Sequence, residues 1–146
     1  MVNLVTDDLF DSEAQTLVNA VNCVGVMGKG IALAFKRRFP EMFAEYRERC
    51  KRGDVRLGEP YQYRGQSLPY VLNFPTKNHW RVPSKLEDIV AGLAYLEAHY
   101  HAWGITSLAV PALGCGAGQL SWDVGGPVLY DALDRLAIPV ALYAPL

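Results

Sequence analysis

Leu17-Val-Asn-Ala-Val-Asn22, Gly25-Val-Met-Gly-Lys-Gly30 and Ile31-Ala-Leu-Ala-Phe-Lys-Arg-Arg-Phe39 stand one after another and read as three different elements. The first is short, rich in β-branched residues and bounded by polar ones, which is the pattern of a strand. In the third, Ile31, Phe35 and Phe39 recur every four residues and Pro40 ends the series, which predicts a helix. Between them lies a glycine-rich turn. In α/β folds such a junction is where backbone N–H groups and a helix N-terminus receive anions.

Working outward, Val2 to Val5 is a second short strand, and Glu41 to Arg52 a helix with Phe43, Tyr46 and Cys50 on one face, stopped by Gly53. Glu59 to Tyr63 and Tyr70 to Phe74 read as strands separated by a turn at Gly65. Ser84 and Glu87 have the spacing of a capping box, followed by an apolar stripe of Leu86, Ile89, Val90, Leu93, Leu96 and Tyr100 that Gly104 closes. Ser107 to Pro111 is a buried strand leading into a second glycine-rich stretch, Gly114-Cys-Gly-Ala-Gly118. The last helix covers Val128 to Leu136 and starts at Ser121 or at Pro127; Val140 to Tyr143 is the last strand. Strands that alternate with helices, several without a polar face, predict an α/β fold. The expectation is a three-layer α/β/α sandwich on a central mixed sheet, with residues 1–146 as one domain.

A chain of 146 residues, 51% hydrophobic and 20% charged, can build its own core. Its net charge of -1 excludes the overall positive field of many nucleic-acid binders, so a DNA partner would need a local patch. Cys23, Cys50 and Cys115 are odd in number and far apart, as expected of reduced thiols. The N-terminus has no secretion signal and no apolar run reaches membrane-spanning length, so the expected location is cytoplasmic, without membrane contact.

Neither glycine loop matches the mononucleotide P-loop or the G-x-G-x-x-G fingerprint, which disfavours kinase and dehydrogenase readings. Glycine is also the default residue of any tight turn. Two such loops in one small domain nevertheless suggest a ligand with two linked phosphates, one for each loop. Asp7 and Asp8 follow the first strand, where a carboxylate can accept from an exocyclic amine such as that of adenine, or simply be solvated. Asn19 and Asn22 end the second strand, where an amide can orient a ribose hydroxyl or build a turn. In Phe74-Pro-Thr-Lys-Asn-His-Trp-Arg81, Lys77 is a candidate nucleophile or hydrogen-bond catalyst if burial lowers its basicity. His79, Trp80 and Arg81 are candidates for base stacking and phosphate contact. Three histidines and unpaired cysteines give no metal-ligand spacing, and no Ser sits in a G-x-S-x-G turn.

Taken together, Asp7-Asp-Leu-Phe10, Leu17-Val-Asn-Ala-Val-Asn22, Met27-Gly-Lys-Gly-Ile-Ala32 and Pro111-Ala-Leu-Gly-Cys-Gly116 resemble the macrodomain family, in order and over nearly the whole chain. The Gly28 to Phe39 run and Thr76-Lys-Asn-His-Trp-Arg81 are similar to the branch that holds the terminal ADP-ribose hydrolases and the DarG antitoxins, the latter chiefly through His79-Trp80-Arg81. The resemblance implies a cleft for ADP-ribose, with Asp8 at the adenine amine, the Leu9 backbone beside it and Asn22 against the distal ribose. It places Lys29, Gly30 and Ile31 in one diphosphate loop and Leu113, Gly114, Cys115, Gly116, Ala117 and Gly118 in the other. Thr76 would border the pocket and Lys77 would be catalytic.

The activity so implied is hydrolysis of the N-glycosidic bond that joins ADP-ribose to a base of single-stranded DNA, usually thymine, with no cofactor. The partner implied is a cognate ADP-ribosyltransferase toxin. His79, Trp80, Arg81 and Lys85 would hold the strand. Two alternatives accompany this reading: a non-catalytic ADP-ribose reader, and an esterase for ADP-ribosylated acidic side chains. Eukaryotic relatives that pair Lys with Asp carry the aspartate where this chain has Gly118, so a two-residue mechanism is not expected. A run of glycines followed by Asp in the first loop is also absent. Full antitoxins of this type have a further C-terminal region, so residues 1–146 are compatible with one part of a longer antitoxin.

Overall fold

The computed structural model describes residues 1–145. Its elements follow in the order β1 (Val2–Val5), β2 (Thr16–Asn22), α1 (Gly30–Arg38), α2 (Pro40–Lys51), β3 (Tyr61–Tyr63), β4 (Tyr70–Lys77), α3 (Leu86–His99), β5 (Leu108–Val110), α4 (Trp122–Asp134) and β6 (Val140–Tyr143), with one 3-10 turn at Leu9–Asp11. The strands form one six-stranded sheet, β1-β6-β5-β2-β4-β3. All neighbours are parallel except β3, which pairs antiparallel with β4 at the edge. The sheet is therefore mixed, as the sequence predicts.

β2 has almost no exposed residue, and a parallel strand of that kind needs both faces covered. On one face Leu17, Val21, Val71 and Ala109 pack with Phe35 of α1 and Met42 and Tyr46 of α2. On the other, Val18, Leu72 and Phe74 pack with Ile89, Leu93 and Leu96 of α3 and Leu129 and Leu133 of α4. Pro40 ends α1 and opens α2 at a first-turn position, where its missing N–H costs no helical bond. Asn19 is not at the strand's end. It is fully buried in mid-sheet, opposite Asn73, and its Nδ2 donates to Asn73 Oδ1 at 3.2 Å. Asn73 Nδ2 donates in turn to the Tyr61 hydroxyl at 3.2 Å.

Two expectations for α3 need correction. The Ser84–Glu87 capping box does not form: the cap residue is Lys85, with no side-chain cap bond, and the buried Ser84 Oγ has no partner. The Ser84 N–H donates to Gly118 O at 2.8 Å, so the second glycine loop draws this residue out of the capping position. Val90 is exposed, because Ile89, Gly92, Leu93 and Leu96 form the face that meets the sheet. Gly92 is the point of closest approach, where an added Cβ would meet Phe74 Cε1 at 2.7 Å. Gly92→Ala is therefore expected to destabilise the fold by about 1–3 kcal/mol despite the better helix propensity of Ala. Urea unfolding would measure this, and an unchanged midpoint would contradict the packing described.

For α4 the structure selects Ser121 as the cap, accepting from the Asp123 N–H at 3.2 Å, with Pro127 inside the helix. The buried Gly125 faces Cys115, and a Cβ there would stand 3.0 Å from Cys115 Sγ.

Candidate active site

Five of the six strands run parallel, so their carboxyl ends share one edge, and the segments that leave them converge there. Thr6 to Phe10 follow β1, Asn22 to Ile31 span β2 to α1, and Thr76, Lys77 and Trp80 come from β4. Pro111 to Gly118 follow β5, and Tyr143 to Pro145 end β6. Residues from all five segments line a cleft of about 540 Å³, within the range of small-molecule sites.

The first glycine loop is held by Asn22. Its Oδ1 accepts from the Val24 and Val26 N–H groups at 3.0 and 3.4 Å, and its Nδ2 donates to Val26 O at 2.8 Å. The buried Tyr46 hydroxyl lies 2.8 Å from both the Asn22 carbonyl and Oδ1. Burial raises the Tyr46 phenol well above its ordinary pKa, so it remains a neutral donor. Asn22 lines the cleft, but most of its side-chain bonds shape the loop.

The loop delivers Lys29 as the cap of α1, with no side-chain cap bond. Among the described residues nothing accepts from the N–H groups of Gly30, Ile31 and Ala32. The same holds across the cleft for Gly116, Ala117 and Gly118, although Leu120 N–H and Gln119 N–H close the loop onto Gly114 O and Gly116 O at 2.8 and 3.0 Å. Two arrays of open backbone donors, one backed by a helix dipole, thus border a single cleft.

Lys77 is the last residue of β4, not a loop residue beyond it. Asn22 is paired with Lys77 and Val21 with Pro75, so Thr76 is an extra residue in the ladder. A bulge of this kind resets which way the next side chain faces. Lys77 is only 9% exposed, and its Nζ donates to Trp80 O at 3.2 Å and Ala117 O at 3.1 Å. Burial lowers the pKa of its ammonium, and the charge of Lys29 lowers it further. An ammonium has three hydrogens, so two carbonyls leave one for the cleft.

Of the residues expected to bind ADP-ribose, Asp8, Leu9, Asn22, Lys29, Gly30, Ile31, Thr76, Gly114, Gly116, Ala117 and Gly118 line the cleft together with Lys77. Leu113 and Cys115 do not. Leu113 is buried in the core, and Cys115 Sγ turns back to Leu113 O at 3.6 Å. One Asp8 oxygen, Oδ1, caps the 3-10 turn through the Phe10 N–H at 3.0 Å, leaving Oδ2 without a bond among the described residues.

Trp80 alone of the strand-holding candidates reaches the cleft. His79, Arg81 and Lys85 lie outside its walls. Thr6, Phe10, Tyr143 and Ala144 line it without having been singled out, although their position at the carboxyl ends of β1 and β6 is a usable signal. The thiols compete poorly as nucleophiles: burial pushes Cys23 up to about 11 and also raises Cys115. Among the described residues no cluster of His, Cys, Asp or Glu could hold a metal, and no helix is long and apolar enough to cross a membrane.

Known proteins resemble this chain over nearly its whole length. A DNA ADP-ribosyl glycohydrolase of Mycobacterium tuberculosis is 46% identical over 149 residues, covering 99% of this chain and 42% of that protein. A DNA ADP-ribosyl transferase–glycohydrolase fusion protein of Thermosipho africanus is 40% identical over 163 residues, with the same coverage. The chain thus spans 42% of the length of these curated relatives. The solved macrodomain of M. tuberculosis DarG superposes with a TM-score of 0.95 at 45% identity, over 100% of this chain and 99% of that one. T. africanus DarTG, solved in complex with ADP-ribose, gives 0.96 at 42% identity, over 99% of this chain and 42% of that one. The Macro domain pattern itself matches residues 18–128, and with these relatives it shows that the chain belongs to the macro domain family.

Proposed function

We propose that this macro domain hydrolyses ADP-ribose from a base of single-stranded DNA, thymine being the expected one, and so acts as the antitoxin to a DNA ADP-ribosyltransferase in the cytoplasm. The observation that carries the reading is the pair of facing N–H arrays, Gly30 to Ala32 and Gly116 to Gly118, with the Lys77 ammonium beside them. A pyrophosphate seated between the arrays would place the adenine amine toward Asp8 and the distal ribose toward Lys77, turning a bimolecular reaction into an oriented one. The relatives' names supply the substrate: the similar proteins are called DNA ADP-ribosyl glycohydrolases. His79, Trp80, Arg81 and Lys85 would receive the strand.

The two carbonyls on Lys77 favour its charged form and suit it to donate rather than to attack. In this mechanism the third N–H stabilises the pyrimidine anion as the bond from sugar carbon to base nitrogen breaks and its electron pair goes to the base. Water adds to the carbon and its proton ends on the base. A delocalised anion needs less acid assistance than an amine, so a carboxylate partner is dispensable.

The test offers an ADP-ribosylated oligonucleotide and an ADP-ribosylated acidic protein side by side; release of ADP-ribose from the protein alone would overturn the DNA assignment. The pH profile then tests the role of Lys77. A donor must be protonated, so kcat/KM is expected to fall above a limb lying below the ordinary lysine value of about 10.4. Lys29→Gln removes a like charge and should move that limb upward. Activity that rises through the same limb would identify Lys77 as a nucleophile instead.

A further inference from the structure

Of the ten exposed large hydrophobic residues among the described residues, four, Val24, Val26, Trp80 and Val82, belong to the two segments that flank the Lys77 end of the cleft. Their exposures are 46%, 40%, 40% and 42%, although neighbouring Thr76 and Lys77 are buried. The Cys23 N–H donates to Asn78 O at 3.1 Å, which ties the two segments together at their base. Val26 and Trp80 both border the cleft, and Lys77 holds Trp80 O, so this apolar shoulder begins where the reacting bond would lie.

Cations frame the shoulder. The Arg81 guanidinium lies 4.5 Å over the Trp80 ring. On the other side the Arg47 stem packs under the first loop, where a Cβ on Gly25 would touch Arg47 Cγ at 3.6 Å, and its guanidinium stands 5.5 Å over the Phe43 ring. The ion pairs among the described residues use Arg49, Lys51, Arg52, Arg56 and Arg135, so Lys29, Arg47 and Arg81 have no carboxylate partner. Apolar faces between uncompensated cations match one kind of ligand, a nucleotide with a flat base and anionic phosphates on either side.

We propose that the outer face of the first glycine loop, Val24 and Val26 with Arg47 behind them, seats the nucleotide adjoining the modified one, across from Trp80. The inference rests on the single-stranded DNA reading and adds to it. The loop has two faces: inward it offers N–H groups to the diphosphate, outward it grips the unmodified part of the strand. A strand clamped on both sides of the scissile bond holds its base in line with Lys77, so longer substrates gain over a modified nucleotide alone.

Val24 lies outside the cleft and is exposed, so Val24→Ser is not expected to disturb folding or the ADP-ribose site. On an ADP-ribosylated single strand of about ten nucleotides, Val24→Ser should lower kcat/KM roughly 5- to 10-fold, the size of partial burial of one Val side chain. On the same modified nucleotide alone it should change nothing. Arg47→Gln should flatten the salt dependence of kcat/KM on the long substrate only. Equal losses on both substrates, or none on the long one, would overturn the inference. A wild-type protein that releases nothing from either substrate would remove the DNA reading itself, a separate result from wild-type turnover with a silent Val24→Ser.

Discussion

Lys77→Ala is expected to slow release of ADP-ribose from modified DNA by about 10³-fold while changing the Kd for free ADP-ribose by less than about 10-fold. The first figure is the usual loss on removing a positioned donor or acid from a transition state. The second follows from the structure. The groups available to the diphosphate are backbone N–H groups of Gly30 to Ala32 and Gly116 to Gly118, none of them on Lys77. What binding loses is the bond that steadies Ala117 O, which contributes about 1 kcal/mol.

Lys77→Arg should be nearly as inactive, because a planar fork does not replace a compact ammonium between the carbonyls of Trp80 and Ala117. Single-turnover release and calorimetry separate the two effects. Turnover retained in Lys77→Ala would remove Lys77 from the chemistry, and a parallel collapse of affinity would make it a binding residue.

The sequence made the two glycine loops legible because each stands between a β-branched run and a helical repeat, and position at a strand's carboxyl end is what gives such loops their use. It did not reveal the bulge at Thr76, which depends on how β4 registers against β2 and so on a neighbour more than fifty residues away. For that reason Lys77 reads as a loop residue although it is a strand residue held by two carbonyls. Asn19 and Asn22 look alike in sequence. Only pairing in the sheet separates the one that bonds Asn73 in mid-core from the one that builds the first loop. Thr6 and Tyr143 escaped notice because their place in the cleft follows from strand order, which local pattern does not encode. Ser84 carries a true capping signature, and a tertiary contact overrides it: its N–H is taken by Gly118.

The tight turn at Gly118 governs what happens on placing there the carboxylate that the resemblance implies for relatives with a Lys–Asp pair. Gly118→Asp is expected to abolish function, not to add to it, with ADP-ribose affinity down by about 100-fold, equivalent to losing one or two hydrogen bonds to a charged group. A Cβ at position 118 would run into Ser84 Oγ and into the backbone of Gly114, 2.5 Å from its oxygen and 2.9 Å from its carbonyl carbon. Trimming Ser84 cannot relieve a collision with backbone. The loop must move, and with it the N–H groups of Gly116, Ala117 and Gly118. Because the fault lies in the first side-chain carbon, Gly118→Ala should fail almost as badly as Gly118→Asp. Gly116→Ala, two residues away, meets no protein atom within 4 Å and should leave the loop's own conformation and the stability of the fold as in the parent. If Gly118→Ala bound normally and Gly118→Asp turned over faster, the tight turn would not be what keeps an acid out of this site.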